Sequence, residues 1–514
     1  MQKVIEMFIK NKSSILIRAG IVLVSIVLQV LTMLLLIGIL KDYASWAYLL
    51  LEMISIAVVF VLVNDSSSFN SFWIVIIMAM SVFGYCLYFM WGRKHKNWAF
   101  YKKYRRISQK GRDFKVQNPE TLEELREMHP NKVQVSRCLI SDGFPLYKNT
   151  GVTYYDLGEK HFESLFADLE KAQKFIFMEY FIAHDGEIWQ RLIDILERKT
   201  KEHVEVRLLL DDFGVLGMDG DKIRHDLAKL GIRVSIFAPI IKDVSYLTFN
   251  YRNHQKITII DGNIGYTGGV NLADEYANLI ERFGHWKDTA VRLEGEGVWG
   301  LTEIFLEMWE LSKEKEQLDY NKYRPTLSVD APGYVQPVAD GPANNPDNPI
   351  EEMITHLITK ARDYIYFTTP YLVLDNRMID DLCRAARSGV DVRIITPRKY
   401  DKWYVYMVNI SNYGRLLENG IRIYEYVPGF IHAKNIITDD ECSVCGTINM
   451  DYRSFYLHYE CGVLMTEVPA VMEMKEDFLN TMRVSERVSL DAWKSRPFWQ
   501  KCVQATLRLF SPLL

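Results

Sequence analysis

Two short strings of this sequence repeat the same side-chain types at the same spacing. The pattern His-x-Lys-x4-Asp is formed first by His254, Lys256 and Asp261, and later by His432, Lys434 and Asp439. After six further residues, each copy continues with a Gly, a small residue and an Asn, which are Gly268, Gly269 and Asn271, then Gly446, Thr447 and Asn449. A single copy would be a weak signal. Two aligned copies predict two half-sites that build one active site.

These residue types suit chemistry at a phosphodiester. Lys256 and Lys434 would supply fixed positive charge to the anionic oxygens, and Asn271 and Asn449 would donate hydrogen bonds to them. One histidine can attack phosphorus while the other protonates the leaving alkoxide, because the unperturbed pKa of histidine makes both forms accessible near pH 7. The covalent intermediate would be a phosphohistidine. No carboxylate or histidine cluster at metal-ligand spacing lies beside the motifs, so this mechanism requires no metal.

Three carboxylates near the motifs each have two open interpretations. Asp261 and Asp439 would either hold a histidine in its useful tautomer or have a structural role. Glu460, in the string SFYLHYE, would either orient a histidine or be a buried, paired strand carboxylate. The alternative for the whole constellation is a pair of structural histidines on sheet edges, and the two aligned copies argue against it.

The composition predicts a membrane anchor joined to a large soluble part. Of 514 residues, 49% are apolar and 25% are charged, and the length allows about three domains. The formal net charge of −4 gives no global basic field for nucleic acid. Seven irregularly spaced cysteines indicate reduced thiols. We interpret the C-x-x-C pair, Cys442 and Cys445, as small half-buried strand residues in preference to a zinc or redox site.

Three apolar runs, residues 21–40, 46–63 and 72–91, are candidate transmembrane helices. The second is marginal in length and contains Glu52. Lys and Arg precede the first run and are dense after the third, which places residues from 92 onward in the cytoplasm. Basic flanks at both ends require an even number of spans, so either the N-terminus lies outside or one run is not a full span. We predict a multi-pass cell-membrane protein with a cytoplasmic catalytic part.

The polar part of the chain repeats as an α/β unit. Residues 175–181 match 364–371, and residues 204–212 match 390–397, all as apolar runs of buried-strand length. Helices are predicted at 188–198 and 378–387. A second helix in each copy ends before Gly-Ile-Arg, and a strand and the histidine motif follow. This order predicts an open α/β sheet in each copy, with the two copies facing each other.

The predicted domains are a membrane anchor at 1–100, a charged connector at 101–135, a first unit at 136–330 and a second at 331–514. The connector is helix-forming around residues 120–128, and the linker at 330–348 is rich in Pro, Gly, Asn and Asp. Residues 240–251 are predicted to form a loop over the site. Aromatic residues near the motifs would contact acyl chains or belong to the core, and they are Tyr246, Phe249, Tyr251 and Phe430. Residues 499–514 would form an interfacial helix or pack on the body.

Four strings resemble the phospholipase D superfamily with its duplicated HKD motif, and within it the bacterial cardiolipin synthases: RNHQKITIIDG (252–262), HWKDTAVRLEG (285–295), GFIHAKNIITDD (429–440) and RLFSPLL (508–514). The resemblance covers nearly the whole chain. It implies two tandem phospholipase D-like α/β sandwich units that share one active site, preceded by N-terminal transmembrane helices. The family usually has two such helices, so the third apolar run is a departure.

The resemblance also implies transphosphatidylation. A phosphatidyl group would pass from one phosphatidylglycerol to another, giving cardiolipin and glycerol without a cofactor. His254 would be the nucleophile and His432 the acid and base, a choice that the symmetry of the motifs leaves open. The expected partners are phosphatidylglycerol and cardiolipin in the membrane, and no nucleic acid.

Three alternatives to this function stay open. A hydrolytic phospholipase D would use water as the acceptor, and a headgroup-exchanging phosphatidyltransferase would use another alcohol. A non-catalytic membrane lipid-binding protein would keep the fold, but both motifs are complete. A nuclease is disfavoured by the acidic net charge and the predicted anchor.

Overall fold

The computed structural model describes residues 98–239, 251–313, 316, 318–342, 348–509 and 511, with isolated positions before residue 98. The chain separates into two compact bodies, residues 1–96 with 239–250 and residues 97–238 with 251–514. In the first body, Trp73 and Ile77 are buried helical positions. The three predicted membrane runs, apart from isolated positions, and residues 240–250 lie outside the described residues. Within the described part, no helix is both long and apolar enough to cross a bilayer.

The helices of the second body, in chain order, are α1 Trp98–Arg112, α2 Pro119–Met128, α3 Val133–Ser141, α4 Gly158–Leu169, α5 Glu187–Lys201, α6 Gly220–Lys229, α7 Val298–Ser312, α8 Pro349–Lys360, α9 Asn376–Arg387, α10 Trp403–Glu418, α11 Tyr452–Tyr456, α12 Ala470–Arg483, α13 Leu490–Lys494 and α14 Phe498–Leu509. Short 3-10 helices cover Asp274–Ala277 and Tyr320–Tyr323.

The strands of the same body are β1 Thr150–Tyr155, β2 Phe175–Tyr180, β3 Glu205–Asp211, β4 Arg233–Phe237, β5 Arg252–Asn253, β6 Ile257–Ile260, β7 Ile264–Gly268, β8 His285–Lys287, β9 Ala290–Gly295, β10 Tyr334–Asp340, β11 Tyr364–Thr368, β12 Leu372–Val373, β13 Asp391–Pro397, β14 Arg422–Tyr426, β15 Gly429–Ile431, β16 Asn435–Thr438, β17 Cys442–Gly446, β18 Met450–Asp451, β19 His458–Thr466 and β20 Ser485–Arg487.

The first large sheet has the strand order β1-β9-β7-β6-β2-β3-β4. β2, β3 and β4 are parallel, with α5 and α6 as their connections. β6, β7 and β9 run antiparallel to their neighbours. β2 is buried along its whole length because it lies inside the sheet between β3 and β6, and its sequence FIFMEY is accordingly almost wholly apolar.

The second large sheet repeats this order as β10-β19-β17-β16-β11-β13-β14, with β20 added at one edge. Every strand of the first sheet therefore has a counterpart, and the predicted α/β repeat is confirmed. The predicted strand pairs correspond to β2 with β11 and β3 with β13, and the predicted helices lie within α5 and α9. Gly231 and Gly420 follow α6 and α10 with φ of +82° and +90°, the left-handed conformation that ends a helix.

One continuous apolar core contains residues of both repeats. α7 lies within it and is buried at every position except its last residue, Ser312. Phe177 of the first sheet stacks on Phe305 of α7 with ring centroids 4.9 Å apart, and Ile437 and Val463 of the second sheet belong to the same cluster. The two repeats therefore form one packed body, which allows a single site between them.

Two short parallel strand pairs cross between the repeats beside the motifs. β5 pairs with the start of β19, which places Arg252 opposite His458. β15 pairs with β8, which places Ile431 opposite Lys287. In both cases the pairing comes immediately before a motif histidine. The backbone of each histidine is thus fixed against the other repeat.

The structure changes or completes four expectations outside the motifs. The linker predicted at 330–348 contains β10, which is an edge strand of the second sheet and therefore tolerates Pro337. Cys442 and Cys445 lie in a strand, β17, as predicted, but the prediction that they are half-buried was wrong, because both are fully buried there. The tail forms α14, which packs on α10. The helix predicted around 120–128 corresponds to α2.

Candidate active site

Both motif histidines lie at the same edge of their sheets. His254 and Lys256 precede β6, whose first residue pairs near the end of the parallel strand β2. His432 and Lys434 precede β16, whose first residue pairs with the end of β11. In open α/β sheets, ligands bind beyond the carboxyl ends of the parallel strands. The fold therefore delivers both motifs to the ligand-binding edge.

His254 is held by the second repeat. Its backbone N–H donates to the carbonyl of Tyr459 at 2.9 Å, and its Nδ1 lies 2.9 Å from Oε1 and 3.0 Å from Oε2 of Glu460. The hydroxyls of Thr447 and Ser454 also donate to this buried carboxyl group, Ser454 at 2.9 Å. With Glu460 ionised, Nδ1 of His254 carries the proton and Nε2 is the nitrogen left for reaction. The structure thus places the Glu460 carboxyl group against His254, as in the first of the two interpretations of this residue.

His432 is held by the first repeat in the same manner. Its backbone N–H donates to the carbonyl of Lys287 at 2.7 Å, and its Nδ1 lies 2.6 Å from Oδ2 of Asp288. Asp288 is fully buried and accepts a second hydrogen bond from the backbone N–H of Thr289 at 2.9 Å. The same reasoning places a proton on Nδ1 of His432, so its Nε2 takes a proton when the ring becomes an imidazolium and gives it back when the ring becomes neutral.

Asp288 is the functional residue that the sequence interpretation missed, and it is the counterpart of Glu460. Gly268 pairs with Ala290 and Gly446 pairs with Gly462, and each carboxylate stands two residues before the partner of the glycine in its own repeat. This shared register becomes visible only when the strands are paired, so the sequence alone did not reveal it. The repeats therefore exchange carboxylates: the second repeat orients the histidine of the first, and the first orients that of the second.

Four motif side chains are close enough to influence one another's charge. Burial, followed by Lys256, lowers the pKa of His254 well below its usual value, and Lys434 and His432 add to this effect. Burial, followed by Lys434, lowers the pKa of His432 to about 4, and Lys256 contributes. Because each half acts on the histidine of the other, the two motifs belong to one site.

The same burial weakens the hold of the two motif lysines on their protons. It lowers the pKa of Lys256 to about 7 and that of Lys434 to about 8, and it raises the pKa of Glu460 to about 8. The Lys256 amine donates to the carbonyl of His254 at 2.7 Å, and the Lys434 amine donates to that of His432. A phosphodiester oxygen would restore the charged lysines, because an anion favours their protonated forms.

The side chains of the two motif asparagines differ in their hydrogen bonds. Oδ1 of Asn271 accepts the backbone N–H of Ile182 at 3.0 Å, and its Nδ2 donates to the Tyr276 hydroxyl at 2.7 Å. Asn449 is buried, and its Oδ1 has no hydrogen-bond partner among the described residues. Asn271 therefore braces the loop after β2. The phosphate-binding role expected for both side chains stays a prediction.

Asp261 and Asp439 are not brought to the histidines, which corrects one of their two expected roles. Each lies at the far end of its motif strand, with φ of +55°. The Asp261 carboxylate accepts the backbone N–H groups of residues 173–175 at 2.6 to 2.9 Å, and that of Asp439 accepts those of residues 362–364 at 2.9 to 3.1 Å. They anchor the starts of β2 and β11. Glu460 and Asp288 hold the histidines instead.

Aromatic rings surround both histidines. Phe181 meets the His254 ring edge-on at 5.0 Å between centroids, and Tyr276 and Trp286 lie 5.5 and 5.6 Å from the His432 ring. Phe430, expected from the sequence, is buried 6.0 Å from His432. Tyr251 is half-buried, whereas Tyr246 and Phe249 lie outside the described residues.

One group of side chains within the active site offers donor atoms to a cation, and a second group, Cys138, Asp142 and Glu352, lies outside it. The donor atoms of His254, His458 and Glu460 all lie within 4.8 Å of one another. However, Arg453 and Lys256 both lower the pKa of His458, after the larger effect of burial. Such cationic surroundings favour an anion over a metal ion at this position.

The fold and the paired motifs define a phospholipase D-like protein. The family described as "Cardiolipin synthase, PLD-like domain" matches residues 165–282 and 354–482, which include both motif histidines. A phosphatidylserine synthase of Haemophilus influenzae has a similar crystal structure, with a TM-score of 0.57, 14% identity, and coverage of 74% of this chain and 98% of its own. At that identity the likeness concerns the fold alone.

Relatives with higher sequence identity identify the family to which the chain belongs within this class. The cardiolipin synthase of Geobacillus kaustophilus is 33% identical, over 90% of this chain and 92% of its own length, and that of Listeria welshimeri is 32% identical, over 92% and 99%. An uncharacterized protein of Streptococcus mutans is 42% identical, over 76% and 85%. The chain belongs to the cardiolipin synthase family, and it is accordingly a phosphatidyltransferase.

Proposed function

We propose that this protein transfers a phosphatidyl group from one phosphatidylglycerol to a second, giving cardiolipin and glycerol. The observation that carries the proposal is the reciprocal exchange of carboxylates, in which Glu460 holds His254 and Asp288 holds His432. Two oriented imidazoles with two buried lysines provide a nucleophile, an acid and a place for the phosphate charge. The identity to named cardiolipin synthases supports the choice of lipid substrates.

In the first step, Nε2 of His254 attacks phosphorus of the donor lipid. The bond between phosphorus and the glycerol headgroup oxygen breaks as the bond from phosphorus to nitrogen forms. With the anionic donor lipid bound, His432 enters this step as an imidazolium, because the phosphodiester charge and Asp288 both favour its charged form. It gives its Nε2 proton to the departing oxygen, so glycerol leaves as a neutral alcohol. Lys256 and Lys434 balance the charge on the phosphoryl oxygens.

In the second step, a hydroxyl of the acceptor phosphatidylglycerol attacks the phosphohistidine. His432 now takes the hydroxyl proton, a new phosphorus–oxygen bond forms, and the bond to His254 breaks. Nε2 of His432 thereby regains the proton that it gave up in the first step, and His254 is free again. One phosphodiester replaces another, so the reaction needs no nucleotide. The assignment of His254 as nucleophile rests on the family resemblance.

The test supplies the purified protein with phosphatidylglycerol alone in detergent. We expect cardiolipin and glycerol in equal amounts. Phosphatidic acid as the main product would contradict the proposal and indicate a hydrolytic phospholipase D. No turnover would indicate a non-catalytic lipid-binding protein. Asp288→Asn and Glu460→Gln proteins are the negative controls and should form little product, because each replaces the carboxyl group that faces Nδ1 of one histidine and keeps the side-chain shape.

We further propose that the protein is a multi-pass membrane protein whose second body faces the cytoplasm. The apolar runs before residue 92 and the basic residues after them support this orientation. Cys502 is exposed on α14 and provides the test. A membrane-impermeant maleimide should label it in inverted vesicles and not in right-side-out vesicles, and a Cys502→Ser protein gives the background. Labelling only in right-side-out vesicles would reverse the topology.

A further inference from the structure

Three exposed segments beside the active site carry large apolar side chains. Five such residues are between 43% and 54% exposed, and they are Leu279, Ile280, Tyr400, Trp403 and Val427. Exposed basic residues lie among them in the sequence, namely Arg282, Lys399 and Lys402. We call these eight residues the rim.

The three rim segments meet in space. The Cα of Gly284, which ends the first segment, is so close to the second and third that an added Cβ would lie 2.7 Å from Nζ of Lys399 and 2.6 Å from the carbonyl oxygen of Pro428. His285, the next residue, pairs with Gly429 between β8 and β15. The rim is therefore one surface and not a set of scattered exposed residues, which would need no explanation.

The topology places the rim at the sheet edge that carries the site. The segments with Tyr400 and Val427 follow β13 and β14, and the ends of these strands share an edge of the sheet with the start of β16. A chain of rings continues inward from the first segment. Phe283 lies 6.0 Å from Phe430, and Phe430 lies 6.0 Å from His432. Two successive rings, Phe283 and Phe430, thus connect the first rim segment to a motif histidine.

The composition of the rim suits a lipid surface. Trp and Tyr are favoured at the level of lipid headgroups, aliphatic side chains can enter the acyl region, and Lys and Arg attract anionic headgroups. The ring centroids of Tyr400 and Tyr406 are 5.2 Å apart, and those of Trp403 and Tyr404 are 6.1 Å apart. Each exposed ring therefore packs against a second aromatic side chain. Glu281 and Asp401 also lie in these segments, and they are outnumbered by the basic residues Arg282, Arg398, Lys399 and Lys402.

We propose that the rim docks on the surface of an anionic phospholipid bilayer and delivers membrane lipid directly to His432 and His254. This inference rests on the proposed function, because it assumes a lipid substrate. It adds that contact with the bilayer is made by the catalytic body itself. Substrate in a bilayer would then depend on the rim, and dissolved substrate would not.

The experiment compares two forms of phosphatidylglycerol, vesicles and dissolved lipid, as substrates of the full-length protein. Leu279→Ser with Ile280→Ser removes apolar area at the rim, and Lys399→Gln with Lys402→Gln removes charge. Met472 and Val484 are similarly exposed on or beside α12, so Met472→Ser with Val484→Ser is the matched control. Activity is measured on vesicles of phosphatidylglycerol and on a short-chain phosphatidylglycerol below its critical micelle concentration. Thermal unfolding of each protein checks that it is folded.

We expect the rim variants to lose at least about tenfold in kcat/KM on vesicles, with kcat/KM on the dissolved lipid unchanged. The control should match the unsubstituted protein on both. Equal loss on both lipids, or no loss on vesicles, would overturn the proposal. Dissociation of an oligomer in the rim variants would also overturn it, by assigning the surface to a second copy of the chain. Cardiolipin formation from the dissolved lipid tests the proposed function separately.

Discussion

Nδ1 of His254 lies 2.9 Å from Oε1 of Glu460, although 206 residues separate the two in sequence. The contact crosses from the first repeat to the second, and the contact of His432 with Asp288 crosses back. Neither repeat contains a complete set of oriented catalytic groups. The single site is therefore a consequence of packing the two sheets into one body.

Glu460→Gln should lower kcat by roughly a hundredfold to ten-thousandfold, with a smaller change in KM. The amide keeps the shape of the side chain but cannot act as a charged acceptor for Nδ1–H, so His254 loses its fixed tautomer. Steady-state kinetics on phosphatidylglycerol measures the effect. Glu441→Gln, a change of a carboxylate outside the motifs, is the control and should leave kcat unchanged. An equal fall in both variants would show that Glu460 has no special role.

Asp261→Asn should reduce stability and leave kcat per folded molecule nearly unchanged. The carboxylate accepts three backbone N–H groups at the start of β2, and an amide would accept fewer of them. The expected loss is about 1–3 kcal/mol in the free energy of unfolding. Thermal unfolding together with specific activity checks this prediction. A large fall in kcat at an unchanged melting temperature would instead show that Asp261 has a direct role in catalysis.

Anion binding should weaken as the pH rises. Burial lowers the pKa of Lys256 to about 7 and that of Lys434 to about 8, so the free protein loses both charges across this range and must take up protons to bind an anion. Sulfate does not titrate there, and its inhibition constant should rise by up to about tenfold per pH unit for each lysine above its pKa. Inhibition is measured between about pH 6 and 9.

Lys256→Arg provides the matched variant for this pH series, because a guanidinium stays charged throughout. It should remove one of the two titration steps and keep the other. An inhibition constant that does not change with pH in the unsubstituted protein would mean that the lysines keep their charge without an anion.

His161 should make the folded protein sensitive to acid. Its ring lies 5.4 Å from that of Tyr266, its two nitrogens have no partner among the described residues, and burial lowers its pKa to about 4. In the unfolded chain the group titrates near its ordinary value of about 6.5. The folded state therefore loses about 3 kcal/mol of stability as the pH falls from above 6.5 to about 4.

Replacing His161 by Phe should remove this part of the acid sensitivity. The urea concentration at the unfolding midpoint should fall less between about pH 7 and 5 in the variant than in the unsubstituted protein. The same decrease in both proteins would show that other groups control acid unfolding.

Much of the site was predictable because its residues are local in sequence. His254 and Lys256 are two positions apart and the pattern recurs at His432, so a spacing rule finds them. The repeat was equally visible, since buried parallel strands are continuous apolar runs, and β2 and β11 have that character. These features require no knowledge of which strands are neighbours.

The remaining features depend on contacts that sequence spacing does not encode. Asp288 reaches His432 across 144 residues, and only the register of β9 and β19 identifies it as the counterpart of Glu460. Asp261 stands in the motif, and one of its two expected roles placed it beside the histidine, but the length of β6 carries it to the opposite end of the strand. β10 was hidden in the predicted linker because an edge strand tolerates Pro337.

The central claim is that two histidines from two repeats perform one transfer, with His254 as the nucleophile. The most direct measurement incubates His432→Asn protein with phosphatidylglycerol, quenches it, and maps the modified peptide by mass spectrometry under alkaline conditions that preserve phosphohistidine. We predict a phosphatidyl group on His254 in this variant and none in His254→Asn protein. A phosphatidyl group on His432 in the His254→Asn protein, with none on His254 in the other, would contradict the account.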